Sequence, residues 1–366
     1  MSKRPCANRF DVERCASFHD FADPIGGRHD VVGDGRARRH AARNLENGHG
    51  CHVGKPPINV IFDTSGTGVS PQSCRLIVRE IQAMPQRSMK QDDPLEDFKH
   101  RAIACDGVTK LVHVAGRGPA VIVMPEMPGI SPHVARFARW VRDAGFTTYM
   151  PSLFGRDGAV PGAEEGAAIF RRACASAEFR AFAANGSSPV TRWLRSLARL
   201  AHEECGGPGV GAIGMCFTGN FALTMMLEPA MLAPVLCQPS LPLNDRGGIE
   251  IAPDDVKAVR DRLERDDLTV LAYRFEGDPF CAAQRFAAYA EALGERFIGR
   301  EVPDSAANRD VAPFFRQHVA CPHSVVTAHL IDEAGQPTIA ARDEILSFFA
   351  LRLGAAAGGR QSCRPL

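Results

Sequence analysis

The sequence has no long hydrophobic run, and without a stretch of about 18 apolar residues we expect no transmembrane helix. Its N-terminal stretch is polar and interrupted by charges, which argues against a secretory signal. The sequence also lacks a large excess of positive or negative charge, because it has 43 Lys and Arg residues and 42 Asp and Glu residues. A general nucleic-acid or membrane-surface role is therefore not indicated. We expect a cytoplasmic protein that binds neither nucleic acid nor a membrane. The sequence leaves its oligomeric state open.

Cysteine is not scarce, but the pattern of a disulfide framework is absent. The 12 cysteines are scattered through 366 residues without a secretory context, so we interpret them as free thiols. Cys51 and His52 are adjacent, yet no second pair follows at the spacing of a zinc finger. We therefore predict no metal site.

The N-terminal part lacks the apolar periodicity of a folded segment. Residues 36–54 are rich in Arg, His, Asn and Gly, and such a composition buries too little surface to offset the entropy of ordering. One apolar island at residues 58–62 is compatible with a short strand. We predict three parts along the chain: a disordered low-complexity extension at residues 1–95, a folded domain at residues 96–356 and a flexible tail at residues 357–366.

From residue 101 onwards the pattern becomes regular and alternates strands with helices. Residues 121–124 are a continuous apolar run, which is typical of a strand buried on both faces. Ser131 and Pro132 then supply a helix start, and apolar residues follow at helical spacing up to Gly145. Similar patterns predict strands at residues 146–150, 210–213, 234–237 and 268–275, and helices at residues 193–201, 217–227, 279–293 and 339–353. The alternation predicts an α/β fold, a mostly parallel sheet with helices on both faces.

The strongest local signal for chemistry is the hexapeptide Gly214-Met-Cys216-Phe217-Thr-Gly219. It follows one predicted strand and opens a predicted helix, and a sharp turn of this kind lifts a nucleophile above the sheet. A helix N-terminus favours the thiolate of Cys216, and the amide of Phe217 can donate to a developing oxyanion. The alternative is that Cys216 is a buried structural cysteine in a strand-to-helix turn.

Two further residues complete a possible catalytic set. Asp278 comes just after the strand at residues 268–275, where the orienting acid of a hydrolase triad belongs, although it is also placed to cap the next helix. His323 lies in a loop before the C-terminal helix, and Pro322 interrupts regular structure just before it. His318 and His329 are its competitors for the role of base. Nucleophile, acid and base follow the chain order of an α/β-hydrolase.

Residues from about 105 to 353 resemble the dienelactone hydrolase family. The family has a Gly-x-Cys-x-Gly-Gly elbow, a Glu-x-x-Gly turn after an early strand and a Pro-x-Leu-x-x-Arg segment after the next one. The matching segments are residues 214–219, Glu126-Met-Pro-Gly129 and Pro151-Ser-Leu-Phe-Gly-Arg156. The resemblance implies an α/β-hydrolase fold.

The resemblance also implies roles for individual residues. These are Cys216 as nucleophile, His323 as base, Asp278 as its orienter, the amides of Phe217 and Met127 as oxyanion donors, and Glu126 as the acid that contacts the resting thiol. A carboxylate on a surface loop is the alternative for Glu126. The implied activity is cleavage of an ester, enol lactone or related acyl bond of a small molecule through a thioester, without a cofactor. The rival hypothesis is a non-catalytic or redox-sensing small-ligand binder that uses the same fold.

The sequence departs from the family at places that affect the substrate. Thr218 replaces the first glycine after the elbow position, and Thr327 stands four residues after His323, where the family holds the substrate carboxylate with an arginine. Arg171 or Arg172 is a candidate for the other carboxylate contact, or both are simply solvated. Residues 301–320 form a longer segment than the family requires.

Overall fold

The computed structural model describes residues 88–179 and 188–354. The predictions for the extension up to residue 87, for the strand at residues 58–62, for Cys51 and His52, and for the tail lie outside the described residues. No helix within the described ranges has the length and apolar character needed to cross a bilayer.

One sheet organises the described part of the chain. Its strands are β1 (Lys99–Cys105), β2 (Val108–Gly116), β3 (Ala120–Met124), β4 (Thr147–Pro151), β5 (Val210–Met215), β6 (Met231–Cys237), β7 (Val270–Phe275) and β8 (Phe297–Val302). They lie in the order β1-β2-β4-β3-β5-β6-β7-β8. Only β2 runs antiparallel to its neighbours, and all other pairs are parallel. The predicted α/β-hydrolase fold with its mostly parallel sheet is confirmed.

Helices cover both faces of the sheet, as predicted. They are α1 (Pro132–Asp143), α2 (Ala163–Ala175), α3 (Pro189–Cys205), α4 (Phe221–Thr224), α5 (Pro253–Arg265), α6 (Ala283–Leu293), α7 (Pro313–His318) and α8 (Pro337–Leu353). One apolar core joins the sheet to α1 and α8, and a second joins it to α3, α5 and α6.

Strand β3 shows why its sequence is apolar without interruption. Val121 and Val123 pack in the core that includes α1 and α8, whereas Ile122 and Met124 pack in the core that includes α3. Successive strand side chains point to opposite faces, so a strand with a core on each side needs an apolar residue at every position.

The domain's packing begins before residue 96. Leu95 is buried, and the buried carboxylate of Asp93 accepts a hydrogen bond from the guanidinium of Arg139 on α1 at 2.9 Å. Residues 88–95 are therefore held against the domain rather than forming the end of the extension.

Two predicted helices are shorter than their sequence patterns indicate. Residues 217–227 do not form one helix but a 3-10 turn (Cys216–Thr218), the short α4 and a second 3-10 turn (Met225–Leu227). The helix expected from residue 279 begins at Ala283 instead. Asp278 does not cap it; its carboxylate accepts from the amides of Phe280 and Cys281, which holds those residues in a turn.

Candidate active site

The cysteine sits in a constrained turn directly after β5. Cys216 has a φ of 56°, a conformation that is rare for a residue with a side chain and typical of a nucleophile elbow. The turn is tight because a Cβ on Gly214 would come within 2.0 Å of the carbonyl oxygen of Thr218. Likewise, a Cβ on Gly219 would come within 2.5 Å of the Cα of Pro239. Both glycines of the motif are therefore required by close backbone approach.

Thr218, the departure from the family pattern, stabilises this turn with its hydroxyl group. The oxygen accepts a hydrogen bond from the amide of Met215 at 2.9 Å. Its proton faces the carbonyl oxygens of Met215, Pro125 and Met124 at 3.0, 3.2 and 3.3 Å. The hydroxyl thus ties the elbow to the end of β3, which is a local interaction that glycine could not make.

The structure brings the predicted acid and base together. His323 Nδ1 and Asp278 Oδ2 are 2.7 Å apart, and both side chains are buried. The other carboxylate oxygen of Asp278 is fixed by the two amides of its turn. This arrangement orients the imidazole so that Nε2 faces the side of Cys216.

Ser240 is an additional polar group in this arrangement. Its Oγ lies 3.5 Å from Cys216 Sγ and 3.5 Å from His323 Nε2. Its amide donates to the carbonyl oxygen of Cys216 at 3.1 Å, which fixes the serine beside the elbow. Ser240 could not be predicted from the sequence, because it lies in the loop after β6, where no motif marks a functional residue.

Two opposing influences act on the pKa of His323. Burial disfavours the imidazolium and lowers the pKa. The charges of Asp278 and Cys216 and their hydrogen bonds with the ring outweigh burial, so the pKa of His323 lies well above its ordinary value. The ring therefore holds a proton readily, as a base that receives a thiol proton must.

The competing histidines occupy other surroundings. Burial, together with the neighbouring His323, lowers the pKa of His329 to about 3, so this ring is neutral. Its Nδ1 accepts from the amide of Ser324 at 3.1 Å. His318 ends α7, and its ring packs against Phe314 at 5.6 Å. His323, rather than either competitor, is the histidine that contacts Asp278.

Glu126 is buried rather than on a surface loop, and it has a different partner from the one implied by the family resemblance. The hydroxyl of Ser324 donates to its Oε2 at 2.6 Å, and Thr327 and Gln238 flank the same carboxyl group. Burial raises the pKa of Glu126, although the hydrogen bond from Ser324, the polar neighbours Thr327 and Gln238, and His323 oppose the shift. Among the described residues, no hydrogen bond joins Glu126 to Cys216.

A narrow cavity of about 20 Å³ adjoins the thiol. Both expected oxyanion residues, Met127 and Phe217, belong to its lining. The lining also contains residues that the sequence analysis did not select: Phe170, Ser240, Leu243, Phe280, Phe314, Phe315 and Val319. The last three come from residues 301–320, so the segment that seemed too long forms part of the wall.

The two arginines proposed as substrate contacts do not reach this cavity. Arg171 and Arg172 are exposed on α2, whereas their neighbour Phe170 is buried and lines the cavity. Their place on the helix explains why they are not in the lining, because successive residues of an α-helix point about 100° apart. No cluster of three or more His, Cys, Asp or Glu side chains suited to a metal occurs within the described ranges.

Comparison with known proteins gives one family match. The model of the dienelactone hydrolase family matches residues 107–244, which include Glu126 and the elbow but neither Asp278 nor His323. None of the curated proteins compared with the chain is a significant match.

The solved structures that align with this chain have sequences distant from it. A dienelactone hydrolase-like promiscuous phosphotriesterase from metagenomic libraries is 18% identical, with 70% of this chain and 100% of that chain covered and a TM-score of 0.47. A thermophilic esterase from Thermogutta terrifontis is 13% identical, with 74% and 97% covered and a TM-score of 0.40. At these scores the fold rests on the strand order of the sheet itself. The similarity to the dienelactone hydrolase family thus covers residues 107–244, 138 of the 366 residues of the chain.

Proposed function

We propose that the chain hydrolyses an ester, lactone or related acyl bond of a small molecule with Cys216 as the nucleophile. The observation that carries this proposal is the position of His323. Asp278 holds its Nδ1 at 2.7 Å, and Ser240 Oγ lies 3.5 Å both from its Nε2 and from Cys216 Sγ. A nucleophile beside a base that is itself oriented by an acid is the arrangement used for acyl transfer.

The first half of the reaction forms a thioester. Cys216 Sγ attacks the carbonyl carbon as His323 takes the thiol proton. The tetrahedral oxyanion receives hydrogen bonds from the amides of Phe217 and Met127, and a single such donor is typically worth roughly 3 kcal/mol of barrier. The intermediate then collapses, and the leaving alkoxide takes the proton from His323.

The second half of the reaction releases the acid. Water attacks the thioester carbonyl, His323 takes a proton from that water, and the sulfur leaves as thiolate. The product is a carboxylic acid, and Cys216 is regenerated when the proton returns to the pair of Cys216 and His323. Every step uses groups of this chain, the substrate and one water molecule.

A non-catalytic or redox-sensing role for Cys216 remains the rival proposal. A sensor requires an accessible thiol, but it does not require a buried His323–Asp278 pair aligned with a strained elbow. The pair and the φ of Cys216 both carry a stability cost, and such features are usually retained where they serve chemistry. These observations favour the hydrolase.

Turnover of activated esters by wild type, Cys216→Ala and Cys205→Ala separates the two roles. The panel contains p-nitrophenyl acetate, p-nitrophenyl butyrate and dihydrocoumarin. We expect Cys216→Ala to lose at least about 1,000-fold in kcat/KM, because nucleophile and base act as one unit. Cys205 is half-buried at the end of α3 next to Tyr149 and serves as the matched control. Wild-type rates in Cys216→Ala would overturn the cysteine mechanism.

We further propose that the protein is cytoplasmic. The described cysteines are all free thiols, as expected in a reducing compartment. Fractionation of cells that express the chain, combined with thiol counting on the purified protein, tests this; a disulfide-bonded product in an oxidising fraction would contradict it.

A further inference from the structure

The wall of the cavity beside Cys216 is apolar on every side that the structure describes. Its apolar members are Met127 after β3, Phe217 in the elbow, Phe170 from α2, Leu243 from the loop after β6, Phe280 from the turn after β7, and Phe314, Phe315 and Val319 from α7 and its end. The polar members are Cys216, Ser240 and His323, which belong to the chemistry itself. Within the described lining, no Lys, Arg, Asp or Glu is present.

The wall is also closely packed. The free volume is only about 20 Å³, and Phe314 and Phe315 are buried with their rings in edge contact at 5.3 Å. Phe217 joins further rings behind the elbow, packing against Phe154 at 5.6 Å and Phe179 at 5.8 Å. A substrate group that binds against this wall leaves water and contacts aliphatic and aromatic side chains.

A carboxylate fits such a wall poorly. Moving an ionised group out of water without a cationic partner or hydrogen-bond donors is heavily penalised. The positions at which the family resemblance places an arginine do not provide one: Thr327 is a buried hydroxyl beside Glu126, and Arg171 and Arg172 are exposed on α2. An alkyl or aryl group, in contrast, gains by contact with this apolar wall.

We infer that this site accepts neutral esters or lactones whose acyl portion carries an apolar alkyl or aryl group, and that it discriminates against acyl groups that bear a carboxylate. The inference rests on the proposed ester hydrolysis at Cys216 and adds the substrate class. It separates this chain from enzymes of the same family that hold a substrate carboxylate with arginines.

A matched pair of esters tests the inference on the full-length protein. The p-nitrophenyl esters of 4-methylpentanoic acid and of succinic acid have acyl groups of nearly equal size, and they differ in an isopropyl against a carboxylate terminus. We expect kcat/KM for the neutral ester to exceed that for the anionic one by at least about 100-fold after correction for their spontaneous hydrolysis. Equal rates, or a preference for the succinate ester, would overturn the inference.

A second pair of reagents gives the same comparison without turnover. Propyl and 2-carboxyethyl methanethiosulfonate transfer a neutral or an anionic group to a thiol, and mass spectrometry of peptides follows their rates at Cys216. With each rate divided by that for glutathione, we expect Cys216 to favour the propyl reagent by at least about tenfold. A ratio of one would contradict an apolar wall even if no ester of the panel is hydrolysed.

One variant should weaken the preference. Leu243 is half-buried in the lining, so Leu243→Arg places a guanidinium at the cavity with little disturbance of the core, and Leu243→Gln is its uncharged control. We expect Leu243→Arg, but not Leu243→Gln, to lower the ratio of kcat/KM for the neutral ester to kcat/KM for the anionic ester at least about tenfold. The double change Arg171→Ala and Arg172→Ala should leave the discrimination as it is, and selective loss of succinate ester turnover there would overturn our assignment.

The outcomes distinguish the two proposals. Persistence of neutral-ester turnover in Cys216→Ala means that the cysteine mechanism has failed. Turnover that depends on Cys216 but treats both esters alike means that the mechanism stands and the substrate class is wrong.

Discussion

The polar half and the apolar half of this site differ in how far each depends on the ends of the strands. Glu126, Cys216 and Asp278 each follow the carboxyl end of a strand, β3, β5 and β7 respectively. The apolar wall shares these strand ends through Met127, Phe217 and Phe280, but its other members come from α2, from the loop after β6 and from α7. Chemistry placed at strand ends is positioned by the hydrogen bonds of the sheet, whereas the wall depends on segments whose length and course the sheet does not set.

The register of the sheet shows how this positioning works. Met124 pairs with Gly214, Met215 with Cys237, and Cys237 with Tyr273. Adjacent parallel strands therefore end at nearly the same level, and the residues that follow them meet at one edge. If the polar half depends on this framework, changes to it should have larger effects than changes to the wall.

The largest expected effect is loss of the base. His323→Ala should lower kcat/KM for p-nitrophenyl butyrate by about 1,000-fold or more, and adding Cys216→Ala should cost little further, because the two residues act as one unit. Stopped-flow or steady-state absorbance at neutral pH measures this directly, with thermal unfolding as the check on folding.

The competing histidines supply the controls for that comparison. His318→Gln and His329→Gln should stay within about tenfold of wild type, because His318 packs against Phe314 and His329 accepts from the amide of Ser324, and neither ring is hydrogen-bonded to Asp278 as His323 is. Near-normal turnover in His323→Ala, with loss of turnover in His329→Gln, would show that His329 and not His323 is the base.

The next effect concerns the hydroxyl that ties the elbow to β3. Thr218→Val keeps the shape of the side chain but leaves the buried amide of Met215 without its acceptor, so we expect a loss of about 1–3 kcal/mol in the free energy of unfolding. Thr218→Ser keeps the hydroxyl and should lose only about 1 kcal/mol for the missing methyl group. Urea unfolding measures both, and equal losses would mean that the hydrogen bonds contribute nothing.

Much of the fold and of the polar half could be predicted because each rests on local patterns. The uninterrupted apolar run at residues 121–124 marks a strand with a core on both faces. Gly214 and Gly219 mark a tight turn in which neither of these two positions has room for a Cβ atom. Asp278 and His323 were found by their order along the chain, and the structure brings them into contact at 2.7 Å.

The remainder could not be predicted because it depends on contacts between distant segments. Arg171 and Phe170 are neighbours in sequence, but only the packing of α2 decides which of them faces the cavity. The helix expected over residues 217–227 is interrupted, although its apolar pattern is intact. The role of Phe314 and Phe315 was hidden because a segment longer than expected offers no sign of where it returns to the domain.

Ser240 tests whether the polar half extends beyond the three predicted residues. Ser240→Ala removes a hydroxyl near both Cys216 Sγ and His323 Nε2 but keeps the amide that donates to Cys216, so we expect kcat/KM to fall about tenfold with stability little changed. Ser196→Ala, which removes a surface hydroxyl bonded to Asp106, is the control. If kcat/KM of Ser240→Ala equals that of wild type at every pH, Ser240 takes no part in the reaction, and the polar half consists of Cys216, Asp278 and His323.

The smallest effect is expected at Glu126, and it appears in the pH dependence of stability. Burial raises the pKa of this carboxyl group, so above its ordinary pKa the folded protein binds the proton more tightly than the unfolded chain does. Folding then loses free energy as pH rises from the ordinary pKa of glutamate to the raised one, and the loss is complete above the latter. Glu126→Gln removes this titration, so its stability relative to wild type should increase as the pH is raised from 4 towards neutrality. Urea unfolding at a series of pH values measures the difference, with the exposed Glu333→Gln as control; parallel curves for Glu126→Gln and wild type would show that Ser324, Thr327 and Gln238 compensate the buried charge fully.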